Sequence, residues 1–287
     1  MTTPPDAGGA AAAMSLERVS VRFRSRGRAP SAALKRVTLR VEVGETVALV
    51  GESGSGKTTI ARVLLALVPA SEGAARRFGV PIPPTLKVPA AERRRIQPVF
   101  QDPRAALNPA FDVFETLEEP LRLRNVGRRD RSAVERSILG LLDETGLPRA
   151  ALHRPTWALS GGEQQRLCIA RALAADPEAL ILDEPLSSLD LVLQARIVDL
   201  LAGLRRERRL TCLLISHDLR LVRRFAERVY VLYRGEVVEE GPTSRVLDAP
   251  EAPYTRRLVA AIPDLRPAVA RAALEADAGS EAPDPDP

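Results

Sequence analysis

The sequence predicts an α/β fold, with a mainly parallel sheet, an N-terminal antiparallel β part and an inserted helical subdomain. Three observations lead to this prediction. Short apolar segments alternate with helical segments in the C-terminal half, as in a parallel sheet covered by helices. Two segments in which polar and apolar residues alternate, 16–23 and 34–43, come first and predict antiparallel strands. A run of helical segments separates these two strand-bearing parts.

Composition sets the expected organisation of the chain. Of its 287 residues, 45% are hydrophobic, which is enough for a substantial core. We expect residues 1–14 to be disordered because they are small and polar, and residues 264–287 to be mostly disordered because they are rich in proline, alanine and charge. Residues 15–263 then form one domain. Residues 242–263 add a helical appendage at its end.

Charge and cysteine content exclude some classes of protein. The net charge is +5, but acidic and basic residues are interspersed, which argues against a dedicated nucleic-acid surface. Cys168 and Cys212 lie in apolar segments and are expected to be buried, reduced thiols. No apolar stretch is long enough to span a membrane, and the N-terminus lacks the pattern of a secretory signal. We therefore expect a cytoplasmic protein.

A glycine-rich stretch, GESGSGKTT at 51–59, follows the apolar segment 46–50 and precedes a helical segment. Strand, glycine-rich turn and helix is the context of a phosphate-binding loop, whose backbone N–H groups close around phosphate oxygens. The helix N-terminus adds its dipole, Lys57 is expected to reach the β and γ phosphates, and the Thr58 hydroxyl to ligate Mg²⁺. The predicted nucleotide-binding residues of this loop are Gly51, Ser53, Gly54, Ser55, Gly56, Lys57, Thr58 and Thr59.

The middle of the chain is expected to be helical. Residues 70–89 hold several glycines and prolines and predict a loop with at most short edge strands, and residues 94–100 predict a strand. Helices are predicted over 113–124, 132–145 and 162–174. Because they lie between two strand-bearing parts, we expect an inserted helical subdomain over about 102–176.

The strand and helix alternation then returns. Strands are predicted over 179–182, 210–216, 229–233 and 236–240, and helices over 191–205 and 219–226. The first of these strands ends in Asp183 and Glu184. A buried strand would deliver Asp183 to the Mg²⁺ side of the phosphates, and Glu184 could polarise a water aimed at the γ-phosphate.

A second glycine pair, LSGGE at 159–163, directly precedes a helical segment. Its N–H groups and the Ser160 hydroxyl would form a second anion-binding helix end. Here the chain resembles the ATP-binding subunits of ABC transporters, whose signature reads LSGGQ. Glu163 replaces the glutamine, while the residues that the resemblance assigns to phosphate binding, Ser160, Gly161 and Gly162, are present.

Other family motifs follow in the family's order over about residues 16–263. Gln101, in PVFQDP, resembles the glutamine that senses Mg²⁺ and contacts the transmembrane partner. Asp190 ends SSLD, which matches the D-loop, and His217, in LLISHD, matches the switch histidine of the γ-phosphate. Phe23 stands where the family places an aromatic ring against adenine. The resemblance thus implies catalytic Glu184, His217 and Gln101, and Mg²⁺ held by Thr58, Gln101 and Asp183.

The resemblance implies a P-loop NTPase (RecA-like) core that hydrolyses ATP. Two such subunits would sandwich ATP and Mg²⁺, with Ser160 and Gly162 of one completing the phosphate site of the other. The implied partners are two transmembrane permease subunits, a second ATP-binding subunit, identical or homologous, and indirectly an extracytoplasmic solute-binding protein, but no nucleic acid. The implied location is the cytoplasmic face of the cell membrane, as a peripheral subunit.

The transported substrate stays open at this point. VFQDPRAALNP and APYTRRLVAAIP resemble the oligopeptide, dipeptide and nickel importer group, and within it both peptides and nickel are possible. The alternative function is a soluble ABC-type ATPase that acts on nucleic acid or ribosomes, although such proteins usually carry coiled coils or two ATPase halves. A P-loop kinase or transferase is a further class, in which the Ser-Gly-Gly signature and Asp190 would have no use.

Overall fold

The computed structural model describes residues 12–23, 31–124, 130–187 and 189–262. Within these residues the strands are β1 (Ala12–Phe23), β2 (Ser31–Glu42), β3 (Thr46–Val50), β4 (Glu72–Arg77), β5 (Val80–Pro81), β6 (Ile96–Val99), β7 (Ala179–Asp183), β8 (Thr211–Ile215), β9 (Arg228–Tyr233) and β10 (Glu236–Pro242). The α-helices are α1 (Lys57–Leu64), α2 (Ala90–Arg95), α3 (Pro103–Ala106), α4 (Val113–Leu123), α5 (Arg131–Thr145), α6 (Gly161–Ala174), α7 (Leu191–Arg208), α8 (Leu219–Phe225), α9 (Thr243–Asp248) and α10 (Pro253–Ala260).

The strands form two sheets. An antiparallel sheet has the order β2-β1-β4-β5, and a six-stranded sheet has the order β10-β9-β3-β8-β7-β6. In the larger sheet β3 and β6 to β9 run parallel, and β10 is antiparallel at the edge beside β9. The predicted α/β class, with a mainly parallel sheet and an N-terminal antiparallel part, is therefore confirmed.

Alternation along β3 explains how the parallel sheet carries a core on each face. Val47 and Leu49 point to the side of α1 and the antiparallel sheet, while Ala48 and Val50 point to the side of the helices α3 to α8. All four side chains are fully buried. A strand buried on both faces reads as a continuous apolar run, which is why β3, β7 and β8 could be predicted from sequence.

Two predictions near the N-terminus were wrong in their details. Strand β1 begins at Ala12, so residues 12–14 are not disordered: they belong to the antiparallel sheet, where Ala13 and Met14 are buried. The region predicted as loop with edge strands holds β4, an interior strand that pairs with β1 along its length. Gly73 permits this pairing, since a Cβ there would lie 2.4 Å from the Arg18 carbonyl oxygen.

Helices fill the chain between β6 and β7, and no strand forms among the described residues of this stretch. Side chains local in sequence set the helix starts: Asp112 forms a capping box with Glu115, and Asp130 accepts a hydrogen bond from the Ser132 N–H. Helix α6 packs on α4 and α5. A separate subdomain over 102–176 stays a prediction, as does the boundary at 263, and residues 264–287 lie outside the described part.

None of the helices that the structure describes is both long and apolar enough to cross a membrane. Cys168 and Cys212 are buried free thiols, and burial raises the pKa of each, to about 11 and about 12.

Candidate nucleotide-binding site

The glycine-rich loop lies at the carboxyl end of β3 and leads into α1. Gly51 has φ +150° and Gly56 has φ +112°, which are backbone conformations that residues with a Cβ rarely adopt. A Cβ on Gly51 would lie 2.2 Å from the Leu232 carbonyl oxygen, and one on Gly56 would lie 2.7 Å from the Ala33 carbonyl oxygen. The loop therefore packs directly on the backbone of neighbouring strands, and glycine is needed at both positions.

Helix α1 begins without a side-chain cap. Gly56 occupies its N-cap position, and no side chain in the described part of the chain accepts a hydrogen bond from the first turn. The N–H groups of a first helical turn have no partner within the helix, and the helix dipole places partial positive charge there. Backbone donors, small residues and a positive end together fit the phosphate groups of a nucleotide.

Lys57 carries the positive charge of the loop. Its side chain is buried, and its ammonium donates hydrogen bonds to the carbonyl oxygens of Gly51 and Glu52, each at 2.8 Å. Burial lowers the pKa of Lys57, while the carboxylates of Glu184 and Asp183 oppose this shift. Two carbonyl oxygens of the loop thus hold the ammonium on the side where the carboxylates of Asp183 and Glu184 lie.

A cleft of about 460 Å³ opens over the loop. Its lining comes from five separate parts of the chain: Ala33, Ser53, Gly54, Gly56, Lys57, Thr58, Thr59, Gln101, Glu184 and His217. The fold therefore brings six of the eight predicted loop residues together with the three predicted catalytic residues. The other two loop residues, Gly51 and Ser55, are buried, and Ala33 is a lining residue that no sequence motif indicated.

Asp183 ends β7 beside the start of α1. Its carboxylate accepts a hydrogen bond from the Thr58 hydroxyl, yet its pKa is raised, mainly by burial and next by the neighbouring Glu184 charge. A divalent cation would relieve this excess of buried negative charge. Carboxylate, hydroxyl and amide oxygens are ligands that Mg²⁺ accepts, so Asp183, Thr58 and Gln101 fit such an ion.

Glu184 and His217 contact each other in the lining of the cleft. The His217 Nδ1 atom lies 3.4 Å from a Glu184 carboxylate oxygen, Oε2. Glu184 has φ +46°, an uncommon value for a residue with a Cβ, and its N–H donates to the Ile215 carbonyl oxygen at 2.9 Å. Glu184 lines the cleft, whereas Asp183 is buried next to Thr58.

The predicted signature residues lie outside this cleft. Ser160 caps α6 through a capping box with Glu163, in which the Ser160 N–H donates to Glu163 Oε2 at 2.8 Å. Gly162 packs on Leu193 of α7, and Asp190 caps α7 by accepting from the Leu193 N–H at 2.9 Å. The structure thus brings the signature and the D-loop residues to each other rather than to this chain's own phosphate loop.

Two further residues complete the description of the site. Phe23, predicted to stack on adenine, is 45% exposed at the end of β1 and does not line the cleft. The chain that follows it, residues 24–30, lies outside the described part. Sequence reasoning missed Tyr254, whose hydroxyl accepts a hydrogen bond from the Glu52 N–H at 2.9 Å. In the sequence, the PYTRR stretch that contains Tyr254 indicates only the family resemblance.

Two family models match the chain. The model of the ABC transporter family matches residues 34–187, which include the glycine-rich loop, the signature and the carboxylate pair. The model described as the oligopeptide/dipeptide transporter, C-terminal region, matches residues 238–285.

Similar proteins point the same way. The chain is 43% identical over 257 residues to a putative peptide import ATP-binding protein of Brucella abortus (strain 2308), which covers 88% of this chain and 76% of that protein. It is 43% identical over 233 residues to the glutathione import ATP-binding protein of Pectobacterium atrosepticum, covering 80% of this chain and 37% of that protein.

Solved structures share the fold. One is a dimeric ATP-binding cassette in a post-hydrolysis state bound to ADP and Pi, with a TM-score of 0.72 and 31% identity over 80% of this chain and 98% of that chain. Another is CbiO1 from Clostridium perfringens, part of an ABC transporter complex, with a TM-score of 0.72 and 25% identity over 93% of this chain and 99% of that chain.

Proposed function

The chain belongs to the ABC transporter family as an ATP-binding, ATP-hydrolysing subunit, and we propose that the transporter it serves imports peptides. The observation that carries this proposal is the match of residues 238–285 to the C-terminal region of oligopeptide and dipeptide transporters. The relatives named for peptide and glutathione import support it, because glutathione is itself a tripeptide. These findings do not favour the alternative of an ATPase acting on nucleic acid.

The geometry of the cleft supports a role for each residue in hydrolysis. The loop N–H groups, the first turn of α1 and the Lys57 ammonium bind the phosphate groups of ATP. Mg²⁺ held by Thr58, Asp183 and Gln101 would supply neutralisation of phosphate charge. Glu184 accepts a hydrogen bond from the attacking water and polarises it.

His217 lies beside the residue that polarises the water. Its Nδ1 atom is 3.4 Å from the Glu184 carboxylate, and the side chain lines the cleft in which the terminal phosphate would lie. A hydrogen-bonding ring at this point can stabilise the charge that develops on the phosphoryl oxygens in the transition state. The first of these roles to test is that of Glu184, because its loss should leave ATP bound while the chemical step is slowed.

A second subunit completes the site in this proposal. Ser160 and Gly162 lie outside their own chain's cleft, on a helix N-terminus suited to phosphate. They would therefore serve ATP bound by a partner copy or a related subunit, whose own signature would serve Lys57 of this chain. The related cassette with ADP and Pi is a dimer.

The remaining partners follow from the proposed import. Two transmembrane permease subunits would convert the closure of the ATP-bound dimer into alternating access, and an extracytoplasmic solute-binding protein would deliver the peptide. The subunit would act at the cytoplasmic face of the membrane. Gln101, in the cleft at the start of the helical part of the chain, is the residue we assign to contact with the permease.

The hydrolytic step is tested with Glu184→Gln in the assembled transporter. We expect ATP binding to persist and turnover to fall by at least about a hundredfold, the usual scale for removal of an acid or base group. Glu207→Gln, an exposed position on α7, is the matched control and should hydrolyse ATP like the wild type. A wild-type rate of ATP hydrolysis in Glu184→Gln would show that Glu184 does not polarise the attacking water.

Substrate class is tested by uptake in cells that lack the gene. Labelled di- and oligopeptide uptake should disappear and nickel uptake should stay normal, and the wild-type gene, but not Glu184→Gln, should restore peptide uptake. Loss of nickel uptake with normal peptide uptake would mean that the transporter imports nickel and not peptides. No change in either would exclude both substrates while leaving the ATPase activity in place.

A further inference from the structure

The C-terminal helix α10 contacts the phosphate-binding loop directly. The hydroxyl oxygen of Tyr254, in the first turn of α10, accepts a hydrogen bond from the Glu52 N–H at 2.9 Å. Glu52 follows Gly51 in the loop, and the Glu52 carbonyl oxygen accepts from the Lys57 ammonium at 2.8 Å. One residue of the loop is therefore fixed by Lys57 on one side and by Tyr254 on the other.

Packing holds the Tyr254 ring in place. The side chain is buried, and its ring stacks on that of Tyr233, with centroids 4.3 Å apart and an angle of 30° between the planes. Tyr233 is the last residue of β9 and follows Leu232, the residue whose carbonyl oxygen faces Gly51. The stacked rings and the start of the glycine-rich loop thus both contact the C-terminal end of β9.

A buried carboxylate fixes the start of α10. Glu239 of β10 accepts hydrogen bonds from the N–H groups of Glu251 and Ala252, each at 2.9 Å. Burial alone would raise the pKa of Glu239, but these backbone donors lower it, so the group stays ionised at neutral pH. The segment that leads into α10 is held on the edge strand, which limits movement of Tyr254 away from the loop.

We propose that Tyr254 is a positioning residue for ATP, which holds the turn at Glu52 so that the Gly51 and Glu52 carbonyls keep Lys57 aimed into the cleft. The inference rests on the proposed use of this loop for ATP. It adds that α10, within the segment that resembles oligopeptide transporters, takes part in the nucleotide site. A shift of α10 would change the affinity for ATP even though α10 does not line the cleft.

Tyr254→Phe tests the hydroxyl alone, because it keeps the stacked ring. In the assembled transporter we expect the Kd and KM for ATP to rise about fivefold, the ratio that corresponds to one net hydrogen bond, with kcat within about twofold of the wild type. In the same variant, hydrogen exchange of the Glu52 amide should become faster, since that N–H loses its acceptor.

Tyr233→Phe is the matched control. It removes the other hydroxyl of the same ring pair, which has no bond to Glu52 among the described residues. Its Kd for ATP and its Glu52 exchange should equal those of the wild type.

Two outcomes would overturn the inference: an unchanged Kd in Tyr254→Phe, or an equal loss of affinity in both variants, which would indicate a general loss of packing. Failure of the wild type to bind ATP would instead contradict the proposed function, so the two failures are distinguishable.

Discussion

The chain has two glycine-bearing helix starts, and their caps differ. At α1, Gly56 is the N-cap and has no side chain with which to cap the first turn. At α6, Ser160 and Glu163 form a reciprocal capping box, so two N–H groups already have partners in the chain. The N–H groups at the start of α1 are therefore free to bind a ligand with several acceptor atoms. The start of α6 can offer a ligand fewer donors than α1, and the Ser160 hydroxyl is one of them.

The surroundings of the glycines differ in the same sense. Gly51 and Gly56 are pressed against backbone carbonyl groups of neighbouring strands, which cannot move aside. Among the described residues, the nearest atom to a Cβ on Gly162 belongs to the Leu193 side chain, at 3.1 Å, and the nearest to a Cβ on Gly161 is 3.9 Å away. A rigid, open loop suits primary binding of a charged ligand, and an adaptable, self-capped loop suits contact with a site formed elsewhere.

The largest expected effect is on ATP binding by the glycine-rich loop, residues 51–59. Lys57→Ala removes its only cationic side chain, and we expect the affinity for ATP to fall about 10- to 100-fold, the range for hydrogen bonds to a charged group. Titration with a fluorescent ATP analogue measures it. Lys87→Ala, at an exposed lysine outside the cleft, is the control and should bind normally. Equal affinities in the two variants would contradict the loop's assignment.

The next effect separates the two helix starts. Ser160→Arg should leave the ATP affinity of the single subunit within about twofold, because Ser160 does not line the cleft. Association of two subunits in ATP should weaken at least about tenfold, since a bulky cation replaces a small hydroxyl at the proposed contact. Light scattering with and without ATP measures this association.

Ser132→Arg places the same side chain near the start of another helix, α5, and is the matched control. It should associate like the wild type. If Ser160→Arg also associates normally in ATP, the signature does not serve a partner's nucleotide.

A smaller effect concerns stability. Gly51→Ala forces a Cβ against the Leu232 carbonyl at a strained φ, so we expect unfolding in urea to be easier by about 1–3 kcal/mol. Gly161→Ala stands in the first turn of α6 with ample space and should be neutral or stabilising by up to about 1 kcal/mol. Equal losses in both variants would show that the two loops do not differ in rigidity.

Local signals were sufficient for much of the fold and of the site. The helix starts at Asp112 and Ser160 could be predicted because a cap and its N–H donor lie three residues apart in sequence. The buried parallel strands could be predicted because both faces require apolar residues. Gln101 and His217 were predicted from family motifs and Glu184 from its place after a buried strand, and the fold brings all three into one cleft.

The features that escaped prediction depend on tertiary contacts. Strand β4, EGAARR, carries only alanine as an apolar residue and is held in the sheet by its pairing with β1. Likewise, the bond between Tyr254 and Glu52 joins residues 202 positions apart, and nothing near either residue indicates the other. Sequence patterns indicate which faces of a strand or helix are buried, but not which distant backbone group forms a hydrogen bond with a given side chain.

The smallest expected effect concerns the charge of Glu163 in the capping box of α6. The pKa of Glu163 is lowered, first by the hydrogen bond from the Ser160 N–H and with help from Arg154, whose guanidinium lies 3.3 Å away. A carboxylate with a lowered folded pKa contributes stability above its unfolded pKa of about 4.3, and this contribution is lost as the pH falls through the folded pKa.

Glu163→Gln keeps an oxygen for the Ser160 N–H but removes the charge. We expect a loss of about 0.5–1 kcal/mol in the free energy of unfolding at pH 7, and a smaller difference from the wild type at pH 3. Urea titrations at both pH values measure it, with Glu207→Gln as the exposed control. A difference that is equal at pH 7 and pH 3 would mean that α6 is held by the shape of its capping box, and that the glutamate contributes nothing through its charge.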